Sequence, residues 1–293
     1  MVTLNPQIIK VPAFMTKFIN VDEMSLYSKF LLISKGKITS FILNNFKEKN
    51  ICLYLNLFFK INGKIIFENG KYVKISKDNN TRISYPNLRI TRILLNENEF
   101  LNHLFESYLL DKVNFQNGDK VLDCGANVGE LLLSFKRKNI EIDYIGFEPD
   151  PDTFKSLSEN INDKKSLYNI ALSSNDKKVN FYVDTVGGNS SMIKSKETKK
   201  TIEVESQKLN YFLEDSQVKL LKIDAEGNEL DVLLGAEENI NNIDYISVDC
   251  GAEKGMSSET TFIEVNEYLI SRQFKLIGIN DKRLVCLYKN ENA

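Results

Sequence analysis

Four acidic side chains close apolar runs of strand-like composition: Asp123 in KVLDCG, Glu148 in IDYIGFEPD, Asp224 in VKLLKIDAEG and Asp249 in IDYISVDCG. Carboxylates accept hydrogen bonds, attract cations and take up protons. Acids gathered at strand ends could therefore hold hydroxyl groups, a cationic ligand or a proton in transit. The first of them opens a turn, Asp123-Cys124-Gly125-Ala126-Asn127-Val128-Gly129. Gly125 can adopt backbone conformations denied to other residues, and Gly129 lets the next helix start close against the sheet. Glu148 follows about twenty residues on, where an acid reaches the hydroxyls of a ribose. Asp123 and Asn127 also have a plainer reading as turn and cap residues.

A nicotinamide dinucleotide uses a related turn, with glycines spaced G-x-G-x-x-G so that the backbone can approach a pyrophosphate. Counting from Gly125, the other two glycine positions hold Asn127 and Glu130; counting from Cys124, they hold Ala126 and Gly129. Neither register fits, and Glu130 at a helix start would repel a phosphate. S-adenosylmethionine carries no phosphate, and its sulfonium and ammonium groups suit the acids. The turn therefore predicts S-adenosylmethionine rather than a nicotinamide cofactor.

These residues need a scaffold. From about residue 105 apolar strands alternate with segments of helical periodicity. KVLDCG, IDYIGFEPD, SLYNIAL, VKLLKIDAEG and IDYISVDCG read as strands, separated by helices marked by Leu132 and Phe135, by Phe154, Leu157 and Ile161, and by Leu230, Leu233 and Leu234. After a last helix (Phe262, Val265, Leu269), FKLIGI and RLVCLYK close the chain as a hairpin-like pair. The pattern predicts an α/β fold, a doubly wound, mostly parallel seven-stranded sheet with an antiparallel strand at one edge. Residues 105–293 form this cofactor domain, and residues 1–104 an N-terminal accessory region, helical and then short strands. In that region Asn-Gly pairs at 62–63 and 69–70 signal hairpin turns. ICLYLNLFF, interrupted by Asn56, reads as a buried strand or helix, well short of the roughly 20 residues of a membrane span.

Composition narrows the field. The 293 residues are 42% hydrophobic and 27% charged, with net charge −2. The chain lacks the basic excess of a nucleic-acid binder. Four cysteines with no C-x-x-C spacing predict neither a zinc site nor a disulfide framework, and fit reduced thiols in the cytoplasm. The N-terminus has no signal-peptide pattern, and no transmembrane segment is expected.

The segments VLDCGANVG, YIGFEPDP, NIALS, GGNSSM and above all LLKIDAEGNELDVLLGA resemble, in combination, the FkbM family of methyltransferases over roughly residues 105 to 280. The resemblance implies a Rossmann-like class I methyltransferase fold and methyl transfer to an oxygen, on sugars, lipid-linked glycans or secondary metabolites. It places Asp123, Gly125, Asn127, Gly129 and Glu148 at the cofactor and Ala171 near its adenine. Ser190 and Ser191 lie in a loop that could line an acceptor pocket or form a plain turn. Either Asp249 or Glu253 would take the place of the family's glutamate after the fifth strand.

Methyl transfer needs placement and deprotonation of the hydroxyl. Lys222 and Asp224 are two apart on a strand and face one side. Asp224 and Glu226 flank the strand end: one would hold the cofactor's amino group while the other takes the substrate proton. The plainer alternative is that Glu226 caps the helix that follows or benefits from its dipole, and Glu229 reads as an exposed first-turn acid. The single histidine, His103, reads as structural or surface. A second arrangement has Asp224, Glu226 and Asp249 holding Mg²⁺, which prefers carboxylates and water; acids around a cationic cofactor explain the same residues, and no metal is the favoured reading. Phe58, Phe59 and Tyr72 could line a pocket, build a core or make a homo-oligomer contact. The expectation is an S-adenosylmethionine-dependent O-methyltransferase of a sugar or glycan-like hydroxyl. The alternatives are a secondary-metabolite methyltransferase and a non-catalytic binding module on the cofactor fold.

Overall fold

The computed structural model describes residues 11–77, 81–161, 164–183, 192, 200–213, 217–255, 257 and 259–292. The chain divides into two compact units, residues 1–100 and 101–293.

The first unit opens with helices α1 (Leu26–Asn45) and α2 (Glu48–Phe58). A three-stranded antiparallel sheet follows: β1 (Lys64–Glu68), β2 (Lys71–Ile75) and β3 (Arg82–Tyr85). ICLYLNLFF is helical, and its buried side chains, Ile51, Cys52, Tyr54 and Leu55, recur at the 3.6 period. Asn69 and Gly70, at φ 50° and 77°, make the tight turn between β1 and β2. Asn62-Gly63 makes no hairpin. Gly63 sits before β1, where an added Cβ would lie 2.0 Å from the Ile75 carbonyl oxygen. Asn56 reaches from α2 to β1, donating to and accepting from the Ile65 backbone at 2.7 and 2.8 Å. Phe59 and Tyr72 are buried in this unit, while Phe58 is exposed.

The second unit begins in α3 (Glu97–Ser107). Its main sheet holds β4 (Lys120–Cys124), β5 (Asp143–Phe147), β6 (Leu167–Tyr168), β10 (Val218–Ile223), β11 (Ile243–Asp249), β14 (Phe274–Asn280) and β15 (Val285–Asn290). Their order is β14-β15-β11-β10-β4-β5-β6. The five strands from β11 to β6 run parallel, and β15 lies antiparallel between β11 and β14. The expected terminal pair therefore contributes two strands at that end. Helices α4 (Glu130–Arg137), α5 (Pro151–Asn160), α6 (Glu229–Leu234) and α7 (Phe262–Ser271) flank the sheet. The largest core joins β10, β11 and β15 to α6 and α7 through residues such as Leu221, Val232, Ile246, Leu269 and Tyr288. Order reverses between β4 and β10, so a crevice is expected outside their carboxyl ends.

The predicted third strand is split. Tyr168 still pairs with Phe147, but Asn169 turns its amide onto the carbonyls of Glu148 and Pro149, at 2.7 and 3.0 Å. The chain then leaves the main sheet. β7 (Ala171–Leu172) joins a separate sheet, order β7-β9-β8, with β8 (Lys177–Val183) and β9 (Lys200–Gln207). The short strands β12 (Ala252–Lys254) and β13 (Glu259–Thr260) pair after β11. Among the described residues no helix is long and apolar enough to cross a membrane.

Candidate active site

The turn after β4 is pinned from above and below. Gly125 and Ala126 both donate their N–H to the Phe147 carbonyl, at 3.0 and 2.9 Å, which clamps the turn to β5. Gly125 has φ 76°, and an added Cβ would lie 2.1 Å from the Asp224 carbonyl oxygen. Asn127 is left-handed at φ 52°, and its N–H donates to Glu148 Oε2 at 2.9 Å. Glu148 Oε1 accepts from the Asp150 N–H, also at 2.9 Å. A carboxylate has about four acceptor sites, so this buried side chain can orient the turn and still receive a ligand's hydroxyls. Gly129, at φ 89°, brings α4 against α5 rather than against the sheet: its Cβ would fall 2.9 Å from Ile161 and 3.1 Å from Leu157. Gly125→Ala is expected to weaken S-adenosylmethionine binding by more than about tenfold, because a left-handed residue costs about 1–3 kcal/mol and a backbone contact must also open. Titration calorimetry reads this directly, and unchanged affinity would remove Gly125 from the cradle.

Under the turn lies a buried ion pair. Lys222 Nζ is 2.9 Å from Asp123 Oδ1 and donates to the carbonyls of Cys124 and Gly125 at 3.1 and 2.8 Å. Asp123 Oδ2 accepts from the Tyr144 hydroxyl at 2.7 Å. Register explains the meeting, since Lys222 and Asp123 are direct partners between β10 and β4. Burial works against the ammonium charge, but Asp123 and Asp224 more than offset it and raise the lysine pKa. A lysine held in its charged form cannot take up a proton. In this position Lys222 ties β10 to the floor of the glycine turn. Asp123, itself fully buried, turns toward Lys222 and Tyr144 rather than into the crevice.

The crevice side holds a second cluster, at the carboxyl ends of β10 and β11. Asp224 Oδ2 accepts from the Tyr108 hydroxyl at 2.5 Å and from Arg283 Nη2 at 2.9 Å. Arg283 Nη2 is also 2.7 Å from Asp249 Oδ2 and donates to the Tyr108 oxygen at 2.9 Å. Its guanidinium lies 4.7 Å from the centre of the Tyr108 ring, within cation–π range. Burial and the Asp224 charge raise the Tyr108 pKa, so the phenol stays a donor. Ser247 Oγ and Asn280 Nδ2 hold the segment before β4 by its carbonyls at Tyr108 and Ser107, at 2.8 and 3.1 Å. Asp249 is pushed up to about 6, first by burial and then by Asp224, against the pull of Arg283 and the Gly251 N–H.

Sequence reading missed Tyr108 and Arg283. Tyr108 gives no signal, since it precedes the first sheet strand. Arg283 did leave one: it lies in the link between β14 and β15. Because β15 is antiparallel and starts opposite Asp249, that link must sit at the carboxyl ends of β10 and β11.

Between Asp224 and α6 the backbone turns sharply, with Glu226 at φ 51° and Gly227 at φ 98°. A Cβ on Gly227 would meet Lys254 Cα at 2.7 Å. Glu229 is not an exposed first-turn acid but is buried. Its Oε1 accepts from the Ala225 and Gly227 N–H groups at 3.2 and 2.9 Å, and Oε2 accepts from Thr261 at 2.9 Å. Burial pushes its pKa up to about 7, against those hydrogen bonds. The reason is local: the tight turn leaves N–H groups facing inward, and Glu229 is the acceptor within reach. Glu226 is half-buried on the turn itself.

The remaining candidates separate. Ala171 is buried in the core of the small sheet with Phe181, Val183 and Val204. Ser190 and Ser191 lie outside the described residues. Glu253 falls in β12, and of it and Asp249 only Asp249 has a described side chain. His103 is exposed on α3. Of the trio Asp224, Glu226 and Asp249, the two aspartates both pair with Arg283, at 2.9 and 2.7 Å. Among the described residues no three acidic, histidine or cysteine side chains are grouped to hold a metal ion.

Comparison with known proteins bears on this geometry. A family profile described as the methyltransferase FkbM domain matches residues 123–276, more than half of the chain. Methyltransferase 1 of Beauveria bassiana is 26% identical over 210 residues, which is 60% of this chain and 82% of that protein. The hexuronic acid methyltransferase AglP of Haloferax volcanii is 27% identical over 144 residues, 47% of this chain and 58% of AglP. Among solved structures, M. capricolum TrmK in complex with S-adenosyl-homocysteine is similar over 68% of this chain and 70% of its own, with 9% identity and TM-score 0.36. With its parallel sheet, its glycine turn after the first sheet strand and the matched profile, this chain belongs to the FkbM methyltransferase family and is an S-adenosylmethionine-dependent methyltransferase of class I fold.

Proposed function

We propose that the protein methylates a hydroxyl of a sugar or glycan-like acceptor. The observation that carries this reading is the Asp224–Arg283–Asp249 cluster at the carboxyl ends of adjacent strands, beside the glycine turn. It provides acids to receive a hydroxyl proton. The hexuronic acid named in AglP supports a sugar acceptor.

The residues fit the cofactor. At Gly125 the turn passes too close to the Asp224 carbonyl for a side chain, the Asn127 N–H donates to Glu148, and Gly129 seats α4 against α5. Gly125, Asn127, Gly129 and Glu148 hold S-adenosylmethionine, with Asp123 and Lys222 bracing the turn from beneath. When bound, the cofactor supplies the electrophilic methyl group on its sulfonium. Asp224, half-buried at the end of β10, accepts the hydroxyl proton. Arg283, Tyr108 and Asp249 orient it and share its charge, and Glu226 lines the entrance. A positioned base contributes about 10²–10⁴-fold. The four described cysteines are buried and free of disulfides, which supports a cytoplasmic setting.

Two outcomes follow. The cluster must be unprotonated to act, so kcat/KM is expected to rise with pH through an apparent pKa near 6, where burial and Asp224 hold Asp249. Asp249→Asn should shift or flatten that limb. Because the folded-state pKa lies above the ordinary 3.8, this group's contribution to stability is full below that value and lost as pH rises through about 6. Turnover is also expected to survive exhaustive chelation, because Arg283 supplies the cation between the aspartates; loss restored by Mg²⁺ would reverse that assignment. The acceptor is tested by mass spectrometry of cellular glycans with and without the gene. A mass difference of one methylene supports the reading, and unchanged glycans beside an unmethylated small metabolite would replace it.

A further inference from the structure

Helix α1 carries apolar side chains on its outer face. Tyr27, Phe30, Leu31, Ile38 and Phe41 are all exposed, from 48% at Leu31 to 72% at Tyr27. At 3.6 residues per turn these positions form one stripe. The opposite side of the helix is the packed one, with Ile33, Gly36 and Thr39 buried. Thr39 Oγ1 lies 3.0 Å from the Tyr54 hydroxyl of α2, and a Cβ on Gly36 would press on Val11 at 2.7 Å. So α1 is anchored by the side that carries Ile33, Gly36 and Thr39 and shows a second set of large apolar residues to the outside. On α2, Leu53 and Leu57 are exposed one turn apart. Contiguous apolar surface of this kind marks an interaction site.

Charge decides the partner. From Met24 to Lys47 the chain has lysines at 29, 35, 37 and 47 and no acidic residue. By helical spacing Lys35 and Lys37 flank the stripe on its two sides. Lys35 lies 4.2 Å from the centre of the Phe59 ring, which holds it beside the stripe. An aromatic and aliphatic face edged by lysines matches a helix lying in the headgroup region of a bilayer, its apolar side sunk about 5–10 Å. A two-fold contact with a second copy would set this stripe against itself, lysines opposing lysines with no acid on the helix to pair them.

We propose that the first unit docks on an anionic membrane surface through the outer face of α1. Anionic headgroups pair with the lysines while Tyr27, Phe30, Leu31, Ile38 and Phe41 enter the interface. The proposal stands apart from the methyl-transfer reading, since none of these residues belongs to the candidate active site.

Flotation of the full chain with vesicles tests it. Binding is expected to vesicles of phosphatidylcholine and phosphatidylglycerol in equal parts, weakening as salt rises, and to be much weaker with phosphatidylcholine alone. Lys37→Gln combined with Lys47→Gln should lower the partition coefficient about fivefold per lysine. Phe30→Ser combined with Phe41→Ser should lower it by at least about tenfold. Circular dichroism and calorimetry with S-adenosylmethionine confirm that each variant is folded. If the phenylalanine pair fails to fold, the lysine pair and the salt titration decide. The proposal is overturned by absence of binding to anionic vesicles, or by equal binding to both compositions that ignores the lysines. It is also overturned by a concentration-dependent dimer that the phenylalanine substitutions dissolve while vesicles bind nothing.

Discussion

Lys222→Met is expected to cost about 3–5 kcal/mol of stability and to abolish cofactor binding, the former because it strands a charge in the interior. The substitution leaves Asp123, which is fully buried, with the Tyr144 hydroxyl as its side-chain partner among the described residues. It also removes the donor shared by the Cys124 and Gly125 carbonyls, which fixes the floor of the glycine turn. The double variant Asp123→Asn with Lys222→Met removes both charges and leaves an amide oxygen for Tyr144. It should be more stable than the single variant, and chemical denaturation measures the difference. A single variant as stable as the parent, with normal cofactor affinity, would reject the brace. Lys222 acting as a base would give a different signature: lost turnover with stability and affinity intact.

Asp224→Asn is expected to lower turnover by about 10²–10⁴-fold with the fold retained. Asparagine keeps the shape and can still accept from Tyr108 and Arg283, so the cluster survives while its basicity is lost. Single-turnover methyl transfer with saturating cofactor isolates the chemical step. Glu226→Gln, on the half-buried turn beside it, should cost far less. Full turnover in Asp224→Asn would remove it as the proton acceptor. A loss confined to cofactor affinity would instead assign it to the cofactor's amino group.

Much of the framework was legible in the chain. The parallel strands, the turn at Gly125 and the acids at 123, 148, 224 and 249 all leave local marks: apolar runs, a glycine that must be left-handed, and a carboxylate at a run's end. The third strand misled because SLYNIAL is apolar throughout, and nothing local shows that Asn169 bonds back to the Glu148 and Pro149 carbonyls and turns the chain into another sheet. Glu229 misled because a first-turn acid is ordinarily solvated. Its burial depends on Thr261, thirty-two residues on.

By itself, then, the sequence determined the class of fold, the place of the cofactor turn and the set of acids around it, because periodicity and turn chemistry are short-range properties. Only the tertiary structure decided which partner each acid meets. Register between β10 and β4 set Lys222 against Asp123 in a buried ion pair. Antiparallel insertion of β15 carried Arg283 back to the carboxyl ends of the parallel strands, between Asp224 and Asp249. A charged side chain takes its role from the partner it meets, and here the partners come together from opposite ends of the second unit: Tyr108 before the first sheet strand, Arg283 before the last.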